Sequence, residues 1–202
     1  MSQLFCTYKS ANDNYGEIEI SGLPSGIGTV FGSSLRKTML AYLEGVAATA
    51  VNIEGACHEF DTVDGVYEEV AEIVHKLRQL KIKTSVDFTK KQLSLCSDSN
   101  RVIAAEIKTD GYVEILNPNL EIAQLSSDAK LQMTIEIEKG TGFRKASENC
   151  KPDHLRGTIP VPSDFSPVEK VGYTVEVCQD KTENLSFQIT TDGTISPMNA
   201  LK

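Results

Sequence analysis

The sequence predicts an α+β fold in which strands outnumber helices. Two segments, near residues 31–43 and 66–80, repeat apolar residues at helical spacing. Many shorter segments alternate polar and apolar residues, which is typical of half-buried strands. The strands follow one another without a helix after each, and this order disfavours a doubly wound parallel sheet.

The first predicted elements are a strand, a glycine-rich loop and a helix. Glu17-Ile18-Glu19-Ile20 alternates with period two and predicts the strand. Glycines and a proline between residues 22 and 28 predict the loop. From Phe31 onward the spacing becomes helical, and Gly45 can end the helix. The apolar positions of this helix are Phe31, Leu35, Met39, Tyr42 and Leu43.

A second helix is predicted after a strand over residues 47–53. We expect it to begin at Asp61–Asp64, because aspartate side chains accept the unpaired N–H groups of a first helical turn. Its basic residues lie towards its end, where they complement the helix dipole. The apolar positions are Val66, Val70, Ile73, Val74, Leu77 and Leu80.

The rest of the chain is predicted to be mostly strands. Turn residues such as Asp110-Gly111 and Asn117-Pro118 separate them. The longest loop is predicted at 140–157, and Ser196-Pro197 is a helix cap followed by a first-turn proline. The predicted strands lie at 82–88, 92–96, 102–107, 113–116, 131–138, 171–177 and 185–190.

The charge balance excludes one large class of function. The 202 residues include 20 Lys+Arg and 28 Asp+Glu, which gives a formal net charge of −8. A protein whose main function is to bind nucleic acid through a basic face has an excess of basic over acidic residues. Hydrophobic residues make up 40% of the chain, enough for a buried core rather than a disordered polymer.

The sequence shows neither a membrane span nor a secretory signal. No run of about 18 apolar residues is present. The first residues, MSQLFCTYK, lack a charged segment followed by an apolar one. The five cysteines are scattered and never form a C-x-x-C pair, which is typical of reduced thiols in a cytosol-like compartment.

The densest group of reactive residue types is the segment from Cys57 to Asp61. One interpretation is a cysteine- or metal-dependent hydrolase that uses Cys57, His58, Glu59 and Asp61. Neighbouring residues of an extended chain point to opposite faces, so Cys57 and His58 would diverge. The alternative is a structural loop ordered by His58 and Glu59, with Asp61 capping the next helix.

Three further motifs each have a functional and a structural interpretation. The Arg36-Lys37 pair is either a binding site or a solvated helix face. The glycines between residues 22 and 32 could cradle a phosphate at a helix N-terminus, or could allow tight turns and close helix packing by Gly32. The glycines of KGTGF at residues 139–143 form either a ligand loop or a turn that leaves a strand.

Several segments together resemble the N-terminal domain of the bacterial-type RNA polymerase alpha subunit. The segment LPSGIGTVFGSSLRK at residues 23–37 is similar to the family signature LxxGxGxTxGNALRR. The segment VNIEGACHEFDT at 51–62 is similar to VxIxGVxHE(Y/F)xT, and DGV at 64–66 with KLR at 76–78 to the EGV and NLK that follow it. Later landmarks keep the family order: GYVEILNP at 111–118, KGTGF at 139–143, SPVEKVGYTVE at 166–176 and TDGTISP at 191–197.

The resemblance implies a non-catalytic scaffold. An alpha subunit is not an enzyme by itself. It dimerises, and the dimer is the platform on which the large beta and beta-prime subunits assemble into a DNA-directed RNA polymerase, a nucleotidyltransferase. The implied fold has a discontinuous dimerisation subdomain, an antiparallel sheet with helices, at residues 1–44 and 167–202. A mostly-β subdomain with one amphipathic helix is inserted at 45–166.

The resemblance also implies roles for individual residues. Phe31, Leu35 and Met39 lie on the helix that forms the dimer interface. Contacts with the beta subunit are expected from Arg36, Lys37, Leu40 and Glu72, and contacts with beta-prime from Arg78 and Val161. His58 and Glu59 then belong to a structural loop. No catalytic residue, metal or cofactor is implied.

The sequence departs from the family pattern at several positions. Lys37 replaces the second arginine, and a lysine lacks the planar fork that binds a carboxylate through two bonds, so a weaker contact is expected. Ser33-Ser34 replaces Asn-Ala. Direct DNA contact is not expected without the family's C-terminal domain. A truncated alpha-like protein that modulates polymerase assembly is therefore a further alternative.

The resemblance also sets the expected location. Alpha subunits occur in the bacterial cytoplasm, associated with the nucleoid, and in the plastid stroma. We expect the first, with the second as the alternative, and no association with a membrane.

Overall fold

The computed structural model describes residues 5–201 of the chain and confirms the α+β class. In this range, fifteen strands accompany three α-helices and two short 3-10 turns, Ala104–Glu106 and Ala146–Glu148. The strands are β1 (Phe5–Asn12), β2 (Tyr15–Pro24), β3 (Glu44–Ile53), β4 (Ile82–Thr84), β5 (Lys90–Ser97), β6 (Arg101–Ile103), β7 (Ile107–Lys108), β8 (Val113–Ile115), β9 (Glu121–Gln124), β10 (Leu131–Thr141), β11 (Phe143–Arg144), β12 (Thr158–Pro160), β13 (Ser163–Asp164), β14 (Val168–Val177) and β15 (Thr182–Thr191). The helices are α1 (Gly28–Ala41), α2 (Val70–Leu77) and α3 (Pro197–Leu201). No helix in the described range has both the length and the apolar character needed to cross a membrane.

The chain divides into two compact units. The discontinuous unit combines the residues up to Glu44 with those from Ser166 onward. The continuous unit is the intervening segment, Gly45–Phe165. Each unit has a hydrophobic core of its own.

The discontinuous unit is built on a four-stranded antiparallel sheet in the order β1-β2-β15-β14. Helix α1 packs on β14 and β15, and the short α3 packs on β2, β15 and α1. Alternate residues of β15, namely Leu185, Phe187 and Ile189, are fully buried, because residues two apart on a strand share a face. Met39 from α1 joins them in the core.

The continuous unit contains a five-stranded sheet in the order β12-β3-β10-β5-β7. Three smaller two-stranded sheets pair β11 with β13, β4 with β8 and β6 with β9. Helix α2 buries one stripe of side chains against this core, at the spacing expected for an amphipathic helix. The residues of the stripe are Val70, Ile73, Val74 and Leu77.

Helix α1 begins earlier and ends earlier than its apolar spacing predicts. Its first residue is Gly28 rather than Phe31. The Glu183 carboxylate accepts hydrogen bonds from the backbone N–H groups of Gly26 and Gly28, so the first turn has an acceptor that the local sequence does not supply. Gly45, predicted to end this helix, lies instead in β3.

Helix α2 is shorter than predicted, and the prediction that Asp61–Asp64 begins it was wrong. The helix begins at Val70, nine residues after Asp61, and ends at Leu77. Val66 is paired in a β-bridge with Leu125, and this pairing removes it from the helical stripe. Beyond the helix, the Asn117 side chain donates to the Gln79 carbonyl and accepts from the Lys81 N–H, which fixes a turn.

Most strand predictions are confirmed, with differences at the edges. The strand predicted at 82–88 stops at Thr84, and the one at 102–107 is interrupted by the 3-10 turn Ala104–Glu106. The sequence patterns missed β1, β9 and the short strands between residues 143 and 164. The helix predicted after Ser196-Pro197 is confirmed, and the Ser196 hydroxyl accepts from the Asn199 N–H at 3.4 Å.

Candidate subunit-binding surfaces

The first turn of α1 and the residue before it present large apolar side chains to solvent. Val30 is 66% exposed, Ile27 45% and Phe31 40%. Their spacing places them together on one helix face. We call this group, Ile27, Val30 and Phe31, the α1 apolar face. Exposed apolar side chains grouped in this way mark interaction sites more often than isolated ones do.

The three residues predicted for the dimer interface lie at different depths. Phe31 belongs to the α1 apolar face, whereas Leu35 is half-buried against the core of the discontinuous unit. Met39 is only 1% exposed and lies inside that core. Its side chain therefore stabilises its own unit, and Phe31 is the predicted residue with most surface left for a partner.

The basic pair of α1 is exposed and partly held in place. Arg36 donates its Nε–H to the Val171 carbonyl at 3.0 Å. This bond uses one of the five guanidinium donors and fixes the direction of the side chain while the terminal nitrogens remain to bind a carboxylate. Lys37 is exposed beside it, and Leu40 is half-buried against the same core.

The backbone N–H groups of the glycine-rich loop before α1 bind the carboxylate of Glu183, a residue of the same chain. Glu183 accepts from the Gly26 N–H at 2.6 Å and from the Gly28 N–H at 2.7 Å, with one carboxylate oxygen for each. Glu183 is only 6% exposed, so these donors are occupied rather than open to a phosphate. Glu183 was not predicted as a functional residue, because nothing in the sequence distinguishes it from other acidic residues of an alternating strand.

Gly28 and Gly32 bring α1 close to the sheet. A Cβ at Gly32 would lie 2.6 Å from the Tyr173 ring, and one at Gly28 would lie 2.8 Å from Val175. The structural interpretation of this loop, close packing by Gly32, is therefore the one that the geometry supports.

In the continuous unit, the predicted residues again lie at different depths. Glu72 is exposed in the first turn of α2, and Arg78 is exposed just after the helix. Val161 is fully buried; its N–H donates to the Thr49 carbonyl at 2.9 Å and its carbonyl accepts from the Asn149 side chain at 2.6 Å. The Val161 side chain therefore has no surface for a partner.

Arg78 has an aromatic neighbour that the sequence analysis did not single out. Its guanidinium carbon lies 5.2 Å from the centroid of the Phe143 ring, within range of a cation–π interaction. Phe143 is 54% exposed, so the two side chains form an accessible pair. The KGTGF motif could have indicated an aromatic residue next to a turn, but not its approach to Arg78.

The segment from Cys57 to Asp61 forms an ordered turn. The Asp61 carboxylate accepts from the Cys57 N–H at 2.6 Å and from the His58 N–H at 3.0 Å, and it contacts the His58 Nε2 at 3.0 Å. The bonds from Cys57 and His58 hold the pKa of Asp61 below its ordinary value, against a smaller opposing effect of burial. Glu59 is exposed.

This geometry does not assemble a nucleophile and its base. Cys57 enters the turn through its backbone N–H, and the His58 imidazole faces Asp61 rather than the thiol. Across residues 5–201, no three His, Cys, Asp or Glu side chains are placed to hold a metal ion.

Comparison with known proteins gives a consistent result over both units. Residues 51–166 match the protein family described as the RNA polymerase Rpb3/RpoA insert domain. The chain is 39% identical over 200 residues to the DNA-directed RNA polymerase subunit alpha of Desulfitobacterium hafniense, covering 96% of this chain and 63% of the relative. Identity to the alpha subunit of Clostridium kluyveri is 38%, covering 97% and 64%. Identity to that of Symbiobacterium thermophilum is 40% over 195 residues, covering 94% and 62%. The chain thus spans slightly less than two thirds of the length of these relatives.

Proposed function

The chain belongs to the bacterial-type RNA polymerase alpha family, and we propose that it is a non-catalytic assembly subunit of a multisubunit DNA-directed RNA polymerase. The observation that carries this proposal is sequence identity of about 39% that runs through both units, over 96% of the chain. Catalysis would belong to the large subunits of the complex. As part of a transcribing enzyme, the subunit would work at the nucleoid of a bacterial cytoplasm.

We assign self-association to the discontinuous unit. The α1 apolar face supplies exposed aliphatic and aromatic side chains, and Leu35 lies half-buried one turn further on. Such a face is stabilised when a second copy covers it and removes its apolar surface from water. In this proposal, the dimerisation subdomain predicted at residues 1–44 and 167–202 corresponds to the discontinuous unit, which also takes in Ser166, and the inserted subdomain corresponds to the continuous unit.

Binding of the beta subunit is assigned to Arg36, Lys37 and Leu40 in the discontinuous unit and to Glu72 in the continuous unit. Arg36 is directed by its bond to Val171, so its remaining donors are already oriented for a partner carboxylate. Lys37 adds a second positive charge, but its ammonium group lacks the planar geometry with which a guanidinium binds a carboxylate through two hydrogen bonds. Exposed Glu72 offers the opposite charge, which favours a partner surface carrying both signs.

Binding of beta-prime is assigned to Arg78. Its placement over Phe143 gives a contact surface that combines charge with an aromatic face, and both residue types are enriched where interfaces derive most of their binding energy. Val161 is left out of this assignment, because its side chain is fully buried in the core.

The proposal is tested by affinity purification of the tagged chain from its native cells, followed by identification of the bound proteins. We expect two very large subunits in stoichiometric amounts. A variant with Arg36→Ala and Lys37→Ala should lose most of the beta subunit while retaining its circular dichroism spectrum. The control, Lys83→Ala with Lys108→Ala, removes two exposed lysines of the continuous unit and should assemble normally.

Two outcomes would contradict the proposal at different levels. Recovery of the chain alone, under conditions that keep the polymerase intact, would rule out the scaffold role. Normal assembly of the Arg36/Lys37 variant would leave the role standing and exclude the interface assigned to α1.

A further inference from the structure

Strand β14 forms a long, unprotected edge of the four-stranded sheet. It has ten residues and pairs with β15, but with no other strand in residues 5–201. Proteins protect sheet edges against pairing with another chain by short strands, prolines, lysines and bulges. The five-stranded sheet follows this rule, because it ends in β7, with two residues, and β12, with three. Between Val171 and Val177, by contrast, β14 has no proline, no lysine and no register shift.

The backbone groups of β14 alternate between β15 and this open edge. Opposite residues of an antiparallel pair alternately exchange hydrogen bonds and leave their N–H and C=O groups pointing outward. The Cys178 N–H, directly after the strand, donates to the Thr182 carbonyl at 2.8 Å. Counting back in steps of two, the even-numbered residues of β14 bond to β15. The outward groups therefore belong to Val171, Tyr173, Val175 and Val177.

A side-chain contact agrees with this direction. The Val171 carbonyl accepts from the Arg36 Nε–H at 3.0 Å, so it points away from β15. In the part of the chain that the structure describes, no side chain or loop bonds to the outward groups of Tyr173, Val175 and Val177. The edge thus presents a row of backbone donors and acceptors that a further strand can pair with.

Helix α1 follows this edge and carries two unpaired cations to one end of it. The helix meets the strand first at Val175, then at Tyr173 and, through Arg36, at Val171. Neither Arg36 nor Lys37 forms an ion pair with another residue of the described range. An occupant of the edge that carries a carboxylate would therefore find an unpaired positive charge beside it.

The edge and the α1 apolar face are separate surfaces. Phe31 and Arg36 are five residues apart, which is about 140° around a helix with 3.6 residues per turn. A second copy that covers Phe31 therefore leaves the Arg36 side of α1 free. Because Arg36 and Lys37 are assigned to the beta subunit, that subunit is the occupant that the unpaired cations favour at this edge.

We propose that an extended segment of the beta subunit pairs with the open edge of β14 as an added strand, with an acidic side chain of that subunit on Arg36. This inference rests on the proposed function, in which Arg36 and Lys37 bind the same subunit. In such strand addition, the main-chain hydrogen bonds supply affinity, and the neighbouring side chains supply specificity.

The test compares backbone hydrogen exchange in the purified chain with that in polymerase isolated through the tagged chain, by mass spectrometry with residue resolution. In the chain alone, the outward amides of β14 should exchange faster than the amides bonded to β15. In the polymerase they should exchange at least about tenfold more slowly. We expect this protection in at least half of the copies, because a dimer with one beta subunit has two such edges.

A proline variant tests the hydrogen bonds themselves. Val175→Pro removes one outward N–H and no bond to β15, and edge strands accept proline at such positions. Recovery of the beta subunit should fall at least about fivefold, because a carbonyl of the added strand loses its donor. Val175→Ala removes the same packing against α1 but keeps the N–H, so it should lose clearly less beta subunit. Val177→Pro, at a residue that is 70% exposed, replaces Val175→Pro if that variant does not fold.

The outcomes separate this inference from the proposed function. Failure to recover any polymerase would contradict both. Polymerase whose outward β14 amides exchange as fast as in the chain alone, or a folded proline variant that assembles normally, would overturn the added strand and leave the scaffold role standing. Protection that appears in the chain alone as its concentration rises would assign the edge to a second copy and overturn the proposal.

Discussion

Glu183 is a buried carboxylate that links β15 to the loop before α1. Both of its oxygens accept backbone N–H groups, from Gly26 and Gly28. Replacement by alanine would leave the buried Gly28 N–H without an acceptor, which costs about 1–3 kcal/mol, whereas the Gly26 N–H belongs to an exposed residue and can bond to water. We therefore expect Glu183→Ala to lower the free energy of unfolding by about 1–3 kcal/mol, measured by chemical denaturation.

The matched control for this prediction is Glu176→Ala. Glu176 is exposed on the neighbouring strand β14, and its replacement should change stability by less than about 0.5 kcal/mol. Equal effects of the two substitutions would show that the Glu183 carboxylate does not hold the loop.

For single residues, the sequence indicated which residue types could form an interface, but not how deeply each side chain is buried. The basic pair Arg36-Lys37 is exposed, as a solvated or binding face requires. Met39 and Val161 were carried over by position, and both are buried because the side of a helix or strand that meets the core depends on tertiary packing. Glu183 could not be found in the same way, because its partners are more than 150 residues away in sequence.

Helix α1 depends on glycine for its close approach to β14 and β15. A Cβ at Gly32 would lie 2.6 Å from the Tyr173 ring and 3.1 Å from Leu185. Overpacking of this kind costs about 1–3 kcal/mol, which exceeds the gain of about 1 kcal/mol that alanine brings to a helix interior. We expect Gly32→Ala to lower the free energy of unfolding by about 1–2 kcal/mol.

Gly172→Ala is the control for this substitution. A Cβ there would make only ordinary contact, 3.7 Å from the Gln188 side chain, so a change within about 0.5 kcal/mol is expected. A Gly32→Ala variant more stable than the parent chain would mean that α1 lies further from the sheet than the structure places it.

The segment after β10 is attached to the sheet through charges. Glu138, which is 6% exposed, is bonded to Lys151 and, at 2.9 Å, to Arg144. Burial acts to raise the pKa of Glu138, but the bonds to these two cations outweigh it, so the pKa lies below the ordinary value of 4.5. Ionised Glu138 therefore stabilises the fold above pH 4.5, and this contribution is lost as the pH falls through the lower folded value.

We accordingly expect Glu138→Gln to destabilise the chain at neutral pH and to flatten its acid denaturation. The loss at pH 7 should be about 1–3 kcal/mol, less than for a fully buried pair because Lys151 and Arg144 retain contact with water. Denaturation curves measured at a series of pH values should converge for the two proteins as the pH falls through the lowered folded pKa of Glu138. Glu59→Gln, at an exposed carboxylate, serves as the control. Parallel stability curves for Glu138→Gln and the parent would contradict this account.

Local sequence patterns predicted some helices and strands better than others. The apolar stripe of α2 correctly identified its buried face, but not its start, because Val66 is bridged to Leu125, far along the chain. Strand β9 has only one short polar–apolar alternation, and β1 mixes small polar residues with aromatic ones, so neither shows a clear period. Strongly periodic segments such as β10 were predicted almost in full.

At the scale of the whole molecule, the α+β class follows from the numbers of segments with helical and with strand periodicity. The pairing of strands in the sheets does not follow from them. The central pair of the discontinuous sheet, β2 with β15, joins segments that lie at opposite ends of the chain. No local pattern encodes that pairing. The discontinuous subdomain was predicted only from the ordered family motifs, because these motifs span nearly the whole chain.

At the scale of the whole molecule, we expect the α1 apolar face to control the proposed self-association. If a second copy covers this face, Phe31→Asp places a charge in a desolvated contact and removes an aromatic anchor, and such positions contribute more than about 1–2 kcal/mol. The dimer dissociation constant, measured by sedimentation equilibrium, should then rise at least about tenfold, since a tenfold change corresponds to about 1.4 kcal/mol. Phe60→Asp makes the same change at a residue of the continuous unit that is 77% exposed, and should leave the constant unaltered.

Each copy carries a net charge of −8, so higher ionic strength should reduce repulsion and strengthen an apolar dimer. A dimer that weakens with added salt and tolerates Phe31→Asp would instead be held by charge pairs, and the α1 apolar face would not be its interface.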